Sequence, residues 1–375
     1  MDIREVKTPG DLKTFVHFPH SLYRGNPNWV PPMYKNVFNT FSPEKNAAFE
    51  YSRSRQWLAY QDGKVVGRVA AILSEGHRQR WNQAYMRFGW LDFVDDPAVC
   101  AALLGKVEEW ARENGCSAVH GPLGFTDMDQ AGMLVEGFNE PGTMATIYNH
   151  TYYPKYLEQL GYVKDTDWVE YEITVPDEPD PRIARLADII LRRENLRLVS
   201  FTRKDEILAY AKKVFALFNE SYRELYGFIP LNDRQVAYYT QQYFGFIRPE
   251  FVTAVVNSTD EMIAFGITMP SLTRAMQKAG GKLFPFGFIH LMRALKKNDR
   301  ADLYLIAVKP EYQGKGVNAV LINRINEVFI QNGIRKVESN PELEDNLRVQ
   351  GQWKHFVTRQ HKRRRCYIKH LVDVQ

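Results

Sequence analysis

Two successive halves of the chain show similar orders of apolar stripes and turns. In the first half, the alternation over 56–73 (QWLAYQDGKVVGRVAAIL) predicts a β-hairpin, because Asp62-Gly63 favours the tight turn that hairpins use. The apolar run 86–94 predicts another strand. The helical spacing from Pro97 to Gly115 predicts a helix, since proline suits a first turn and glycine an end. A strand, a short helix and a final strand follow, up to residue 175.

The second half repeats this order with additions, beginning with two amphipathic helices over 206–227 and 232–244. The elements that follow are, in order, a hairpin (250–269), an extra helix (288–297), a strand ending at Val308, a glycine loop, a helix ending at Gly333, a strand (334–339), a short helix near Asn346 and a last strand (363–371). Strands that meander before a strand–helix–strand crossover favour a mixed, mostly antiparallel sheet flanked by helices. We therefore predict an α/β (α+β) fold that is duplicated along the chain.

An acidic, proline-rich stretch separates the two halves. VPDEPDPR (175–182) carries three prolines, which cannot continue a helix or a central strand. A chain of 375 residues also exceeds what one hydrophobic core usually organises. We therefore predict one domain over 1–175, a linker over 176–183 and a second domain over 184–375.

Composition narrows the class of protein. Apolar content of 45% and charged content of 25% are ordinary globular values. No stretch reaches the ~18 apolar residues that a membrane span needs, and the first residues lack the apolar core of a signal peptide. The cysteines and histidines show no metal-ligand spacing. We therefore expect a cytoplasmic protein with reduced thiols, no metal and no membrane partner.

The net charge of +5 fits binding of a polyanionic small molecule. One dense basic run, RQHKRRRCYIKH (359–370), leaves three interpretations open: a solvated terminal strand, contact with a ligand phosphate, or nucleic-acid binding. No known nucleic-acid motif accompanies the run. Nucleic-acid binding is therefore the least favoured of the three interpretations.

The loop EYQGKGVN (311–318) carries the clearest chemistry in the sequence, because it lies between a strand and a helix. Backbone N–H groups at a helix N-terminus are unpaired and attract anions, and glycines let a phosphate approach them closely. Lys315 adds a positive charge. The spacing fits neither GxxxxGK[ST] nor GxGxxG. The loop therefore predicts a pyrophosphate-binding turn of a different kind.

The segment AVKPEYQGKGVNAVLI (307–322) resembles the acyl-CoA-binding segment of the GNAT superfamily of N-acyltransferases, whose pattern is strand, V-x-P and then Q/R-x-x-G-x-G/A opening a helix. Val308, Pro310, Gln313 and Gly316 match that pattern. Element order extends the resemblance over the second half and, more weakly, the first. The whole chain resembles bacterial tandem proteins with two GNAT-like domains. The resemblance implies an N-acyltransferase that uses acetyl-CoA or another acyl-CoA and a small-molecule or peptide amine.

The resemblance also implies which residues hold the acyl-CoA. The loop and the helix start would bind its pyrophosphate, and the preceding strand would bind the pantetheine arm and the thioester oxygen. The residues so assigned are Ile306, Ala307, Val308, Gln313, Gly314, Lys315, Gly316, Val317, Asn318 and Asn346. Asn318 replaces the usual Gly or Ala, and we expect it either to crowd the phosphate or to cap the helix. In the first half, Asp95-Asp96-Pro97 replaces the loop, so we expect no CoA there.

The usual acid and base of the superfamily are missing. Leu305 occupies the position of the strand glutamate, and Trp353 occupies the position of the tyrosine that protonates the departing thiolate. An indole N–H is a donor only and cannot serve that purpose. Candidate replacements are Glu338 and Asn340 on the next strand, and Asp92 in the first half. Proximity of amine and thioester can also supply much of the rate.

Two hypotheses about the function therefore remain. In the first, the amine attacks the thioester directly while backbone N–H groups near Ala307 and Val308 hold the oxyanion. In the second, a non-catalytic protein keeps the frame to bind CoA or a partner. The missing acid and base favour the second, and the intact glycine loop favours the first. The acceptor, the acyl chain length and the oligomeric state are open.

Overall fold

The computed structural model describes residues 1–371. Its strands are β1 (Asp2–Glu5), β2 (Ser52–Gln61), β3 (Lys64–Ser74), β4 (Tyr85–Phe93), β5 (Ala118–Gly121), β6 (Met133–Glu136), β7 (Val163–Thr174), β8 (Leu196–Ser200), β9 (Val252–Asn257), β10 (Met262–Pro270), β11 (Arg300–Val308), β12 (Lys336–Glu338), β13 (Glu342–Leu343) and β14 (Val357–His370).

The α-helices are α1 (Pro9–Leu22), α2 (Tyr34–Thr40), α3 (Glu75–Trp81), α4 (Pro97–Glu113), α5 (Tyr152–Gln159), α6 (Pro181–Arg193), α7 (Lys204–Ser221), α8 (Asp233–Phe244), α9 (Thr273–Ala279), α10 (Gly287–Lys296), α11 (Val317–Gln331) and α12 (Leu347–Gln350). Prolines open α1, α4 and α6 near their first turns, where a missing N–H costs nothing. Among the described residues, no helix combines the length and the apolar character needed to cross a membrane.

The first of two compact units comprises residues 1–169, 273–290 and those from 362 onward. Its strands β1 to β4 pair antiparallel in sequence order, and β5 then pairs parallel with β4. The C-terminal part of β14 pairs antiparallel with β5. Helix α4 packs its apolar stripe on this sheet, where Val99, Leu103 and Val107 are fully buried.

The second unit comprises residues 170–272 and 291–361. Its sheet runs in the order β7, β12, β11, β10, β9 and β8. Helices α6 and α11 form its core with the sheet, through residues such as Ile190, Val320 and Leu321. Strands β11 and β12 are parallel neighbours, but their pairing covers only Arg300–Asp302. Residues 303–308 of β11 therefore lie beyond the paired region on that side.

The two units confirm the duplicated fold class. Each contains a hairpin, a strand, a helix and a strand parallel to the preceding one, as β2–β3–β4–α4–β5 and as β9–β10–β11–α11–β12. The compact units do not follow contiguous boundaries, because 273–290 and the chain from 362 onward group with the first unit. The stretch 175–180 connects β7 to α6, as its prolines suggest. The division into 1–175, 176–183 and 184–375 otherwise remains a prediction.

Candidate active site

The glycine loop joins β11 to α11 through two residues with left-handed backbone. A short 3-10 helix, Pro310–Tyr312, follows β11, and φ is 78° at Gly314 and 85° at Gly316. Only glycine adopts such angles without strain. The amide of Gln313 donates to the carbonyl of Val308 at 3.0 Å, so its side chain ties the loop to the strand. Both glycines are thus required by the shape of the turn.

The N-terminus of α11 has no side-chain cap. Gly316 is the N-cap residue, and no side chain accepts a hydrogen bond from the first turn. The expectation that Asn318 caps the helix is therefore wrong, because Asn318 lies inside the first turn. The amide of Ala319 bonds the Gly316 carbonyl at 2.8 Å. The N–H groups that precede it give this helix end the positive partial charge that favours an anion.

Two cations flank the loop. The Lys315 ammonium lies 4.8 Å from the centre of the Tyr312 ring and 3.7 Å from a Glu194 carboxylate oxygen. The guanidinium of Arg193 donates to the Lys315 carbonyl at 2.9 Å. Arg193, which the last turn of α6 brings to the loop, was not predicted from the sequence. Neither α6 nor a role for the basic pair Arg192-Arg193 was expected there.

The exposed edge of β11 offers backbone groups at alternate residues. The amide of Lys309 bonds the Ile263 carbonyl at 2.8 Å, and Ala307 lies opposite Phe265 in the same antiparallel register. Because hydrogen-bonded and non-bonded pairs alternate, Ala307 faces β10, whereas the N–H groups of Ile306 and Val308 point away from it. The prediction that Ala307 offers its N–H to a ligand is therefore wrong.

Two hydroxyl groups at the C-terminal end of helix α7 donate hydrogen bonds to backbone carbonyls along this edge of β11. The Tyr222 hydroxyl donates to the Ile306 carbonyl at 3.0 Å, and the Ser221 hydroxyl donates to the Val308 carbonyl at 3.2 Å. These contacts fix the strand segment next to the glycine loop. They also leave the Ile306 and Val308 N–H groups as the donors that face the gap between β11 and β12.

Asn340 and Asn346 have defined structural contacts. The Asn340 amide donates to the Tyr304 carbonyl at 2.5 Å, across the point where β11 and β12 separate. Asn346 is the N-cap of α12, and its side-chain oxygen accepts from the Val349 amide at 3.4 Å. Asn340 therefore fixes the strand at the gap, whereas Asn346 fixes the start of α12.

Glu338 has a histidine partner that local spacing could not reveal. Its carboxylate lies 2.8 Å from the His361 ring nitrogen. Glu170, Glu338 and His361 place possible metal-ligand atoms within 4.8 Å of one another, as do His120, Asp165 and Cys366 in the first unit. Neither group was predicted from the sequence, because their members are distant along the chain.

Asp92 is committed to a buried ion pair in the first unit. One carboxylate oxygen accepts from the Tyr23 hydroxyl at 2.8 Å, and the other lies 2.7 Å from the Arg68 guanidinium. Asp92 is only 6% exposed and Arg68 only 5%. Burial, followed by the Asp92 charge, raises the pKa of the Tyr23 phenol well above its usual value. This geometry gives Asp92 a structural role rather than that of a free base.

Glu342 is an acidic side chain that the sequence analysis overlooked. The Trp353 indole N–H donates to its Oε1 at 2.9 Å, while its Oε2 is buried without a hydrogen-bond partner. Burial raises the pKa of this carboxyl to about 8, although the Trp353 hydrogen bond opposes the rise. Trp353, which stands where a tyrosine was expected, thus positions a carboxyl group that is largely protonated near neutral pH.

The corresponding helix start in the first unit is already occupied. The Asp96 carboxylate caps α4 by accepting from the Ala98 amide at 2.8 Å. Asp95 accepts from the Tyr156 hydroxyl at 2.6 Å. Two carboxylates at a helix N-terminus repel a phosphate, and that this turn does not bind CoA stays a prediction.

The basic run of β14 is matched by acids. Arg359 lies 3.3 Å from Glu172, and Arg363 and Arg365 lie 3.1 and 2.8 Å from Asp167. These ion pairs account for much of the charge that raised the nucleic-acid hypothesis. Of its three interpretations, the strand is the one that the structure shows, but the strand is not solvated throughout, because Lys362 and Arg364 are buried.

A family comparison identifies the second half. Residues 211–356 match the model of the acetyltransferase (GNAT) family. The matched range begins in α7, includes β11, the glycine loop and α11, and ends just before β14. The segment that carries the candidate site therefore matches a family of acyltransferases.

Two curated relatives match most of the chain. Protein YghO of Escherichia coli (strain K12) is 28% identical over 376 residues, which cover 98% of this chain and 95% of the relative. A protein named bacterial ceramide synthase, from Caulobacter vibrioides (strain NA1000 / CB15N), is 26% identical over 325 residues, which cover 84% and 82%.

Solved structures share the fold at low identity. A tandem GNAT protein from the clavulanic acid biosynthesis pathway covers 100% of both chains, with a TM-score of 0.58 at 14% identity. A GCN5-related N-acetyltransferase from Sphaerobacter thermophilus covers 98% of this chain and 95% of its own, with a TM-score of 0.52 at 11% identity. These likenesses concern the fold alone, and they confirm the predicted tandem arrangement.

Proposed function

We propose, on the premise that residues 211–356 match the acetyltransferase (GNAT) family, that the chain transfers an acyl group from an acyl-CoA to the nitrogen of an amine. The observation that carries this proposal is the uncapped N-terminus of α11 behind the left-handed residues Gly314 and Gly316. The N–H groups there suit a pyrophosphate, and Lys315 and Arg193 add positive charge beside it.

The adjoining strand supplies the next part of the site. The N–H groups of Ile306 and Val308 face the gap between β11 and β12, where an extended amide-containing arm can add hydrogen bonds as a neighbouring strand does. A bound acyl-CoA supplies the activated acyl thioester. We assign the Val308 N–H to the acyl carbonyl oxygen, where negative charge develops as the amine adds.

Two proton movements must accompany the transfer. The amine nitrogen loses a proton when it forms the amide, and the sulfur gains one when the C–S bond breaks. We assign the second proton to Glu342, whose carboxyl is largely protonated near neutral pH and has one unpartnered oxygen. Glu342 follows Asn340 by two residues, and Asn340 contacts β11 at the same gap. The ionised Glu342 then regains a proton from solvent or from the amine.

This assignment replaces the three earlier candidates with one. Glu338 is paired with His361, Asn340 is bonded to a strand carbonyl, and Asp92 is paired with Arg68. Each of the three side chains is therefore already engaged in a contact that holds the structure together. We therefore retain Glu338 and Asn340 as groups that position the site, and Glu342 as the group that moves a proton.

The acceptor that we propose to test first is a long-chain amine. A ceramide is the N-acyl amide of a long-chain amino alcohol, and one relative is named a ceramide synthase. Sphinganine and small amines would be offered separately, with acetyl-CoA and palmitoyl-CoA as donors. Release of free CoA thiol and mass of the amide product would be measured. Turnover that requires both an acyl-CoA and an amine is the expected result.

The alternative is a protein that binds CoA without catalysis, and the same experiment separates the two. Saturable CoA binding without turnover on any amine would favour the binding protein. Absence of both would contradict the proposed function. The variant Gly316→Glu, which places a carboxylate at the helix N-terminus, serves as the negative control in each assay.

A further inference from the structure

Three exposed phenylalanines lie at the start of helix α10, two of them just before the helix and the third in its first turn. Phe284 is 76% exposed, Phe286 is 67% exposed and Phe288 is 43% exposed. Met292, one turn further along the same helix, is 61% exposed. Single exposed apolar residues are ordinary, but four large ones within nine positions form a patch that needs a reason. We call residues 282–288 the aromatic loop.

The aromatic loop is held in place rather than loosely attached. The Phe288 amide bonds the Leu283 carbonyl at 2.8 Å, and the Tyr34 amide bonds the Gly281 carbonyl at 3.1 Å. Gly287 has no room for a side chain, because a Cβ there would lie 1.9 Å from the Lys282 carbonyl oxygen. The Phe284 and Phe288 rings lie 5.7 Å apart. The fold therefore presents these rings outward in a fixed arrangement.

The stretch of sequence that contains the loop carries charge of a single sign. Residues 273–297 contain six basic side chains and no Asp or Glu, a local charge of +6 where the entire chain carries +5. The six are Arg274, Lys278, Lys282, Arg293, Lys296 and Lys297, and all are exposed. Long basic side chains can keep their ends in the lipid headgroup region while aromatic rings lie deeper.

From this combination we propose that the aromatic loop and α10 dock on the surface of an anionic lipid bilayer. Protruding rings enter the boundary between headgroups and acyl chains, and the basic side chains bind acidic headgroups. Charge complementarity selects this occupant over a second copy of the chain, because two copies would bring their positive segments together. Docking of this kind involves no membrane-spanning helix, and it revises the expectation that the protein has no membrane partner.

The test is sedimentation of the full-length protein with vesicles of phosphatidylcholine alone, or with added phosphatidylglycerol. We expect binding to the anionic vesicles that weakens with salt. Replacing all three rings, as Phe284→Ser, Phe286→Ser and Phe288→Ser, should weaken that binding by a factor on the order of ten or more. Replacing Lys278 and Lys282 by Ala should weaken it about 25-fold, at about fivefold for each basic residue near the surface.

Matched controls change exposed residues elsewhere. Val163→Ser with Leu208→Ser removes apolar side chains that are 58% and 50% exposed, and Lys155→Ala with Lys212→Ala removes two exposed cations. Neither pair should alter vesicle binding. Because every substituted side chain is exposed, circular dichroism should show unchanged folding.

Three outcomes would overturn the proposal. They are no binding to anionic vesicles, equal binding to neutral vesicles, and binding that the phenylalanine substitutions leave unchanged. Light scattering adds a further check, since a dimer that these substitutions abolish, without vesicle binding, would make the patch a self-association surface. The acyltransfer assay is independent of these results, so the docking can fail while the proposed function stands.

Discussion

Gly316 lies directly against Ile190 of helix α6. A Cβ atom added to Gly316 would approach the Ile190 Cδ1 to 2.7 Å, and the backbone of Gly316 has φ of 85°. The core of the second unit thus contacts the turn that is proposed to hold pyrophosphate. The conformation of that turn and the packing of α6 on α11 are consequently linked.

Gly316→Ala should therefore cost both stability and CoA affinity. The left-handed backbone disfavours alanine by about 1 kcal/mol, and the contact with Ile190 adds to that loss. Gly333→Ala is a matched control, because Gly333 has φ of 70° and open space around a Cβ. Both substitutions should lower the midpoint of thermal unfolding, but only Gly316→Ala should weaken the binding of CoA. Equal CoA affinity in the two variants would contradict the assignment of the loop.

Lys315 and Arg193 should contribute electrostatically to CoA binding. We expect Lys315→Ala and Arg193→Ala each to raise the Kd for CoA by about threefold to tenfold, since each removes a cation beside the helix N-terminus. Both variants should also reduce the dependence of the Kd on salt. The exposed Lys212→Ala is the control. A Kd unchanged in both loop variants would remove these residues from the site.

Glu342 makes stability depend on pH. Burial raises its pKa from 4.5 to about 8 in the folded protein, so between these values the folded state keeps a proton that the unfolded state has lost. The free energy of unfolding is therefore undiminished by Glu342 below about pH 4.5. It decreases as pH rises above that value, and the full decrease is reached as pH passes through about 8. Glu342→Gln removes this loss. The thermal midpoint of the variant should exceed that of the native protein increasingly as pH rises.

The same substitution tests the proton transfer. Gln cannot release a proton, so Glu342→Gln should lower kcat by a factor on the order of 10² and flatten the pH profile of kcat near pH 8. Gln can still accept from the Trp353 indole, and CoA affinity should remain. Glu220→Gln, at an exposed position, serves as control. A native pH profile in Glu342→Gln would show that another group moves the proton.

Asp92 should affect stability and not chemistry. Asp92→Asn breaks the buried pair with Arg68 and should lower the free energy of unfolding by about 3 kcal/mol, because a guanidinium is left without its counter-charge. Acyl transfer per folded molecule should remain at the native rate. Urea titration measures the first quantity. A loss of kcat with unchanged stability would restore Asp92 as a catalytic candidate.

Local patterns in the sequence were enough to predict the fold class and the glycine loop. Turn chemistry, helix ends and the duplicated element order depend on neighbours within a few residues. The structural comparison agrees with the tandem fold, and the family model matches residues 211–356. The positions Gly314 and Gly316 followed from the physics of a helix N-terminus, and the structure gives both the left-handed backbone.

The missed features all depend on residues that are distant in sequence or on strand register. Arg193 reaches the loop from α6, and Glu338 pairs with His361 across 23 positions. The orientation of the Ala307 amide depends on which residues of β10 lie opposite, which no local pattern specifies. A role for Glu342 was not predicted, because it depends on the burial of the carboxyl group and on its hydrogen bond with the indole of Trp353.

The most direct test of the central claim is calorimetric titration of CoA into the native protein and two variants. Gly316→Glu places a carboxylate at the N-terminus of α11, whereas Gly333→Glu places one beyond its C-terminus on a similar left-handed residue. The account predicts saturable binding by the native protein and by Gly333→Glu, and none by Gly316→Glu. No binding by the native protein at millimolar CoA, or equal binding by both variants, would contradict it.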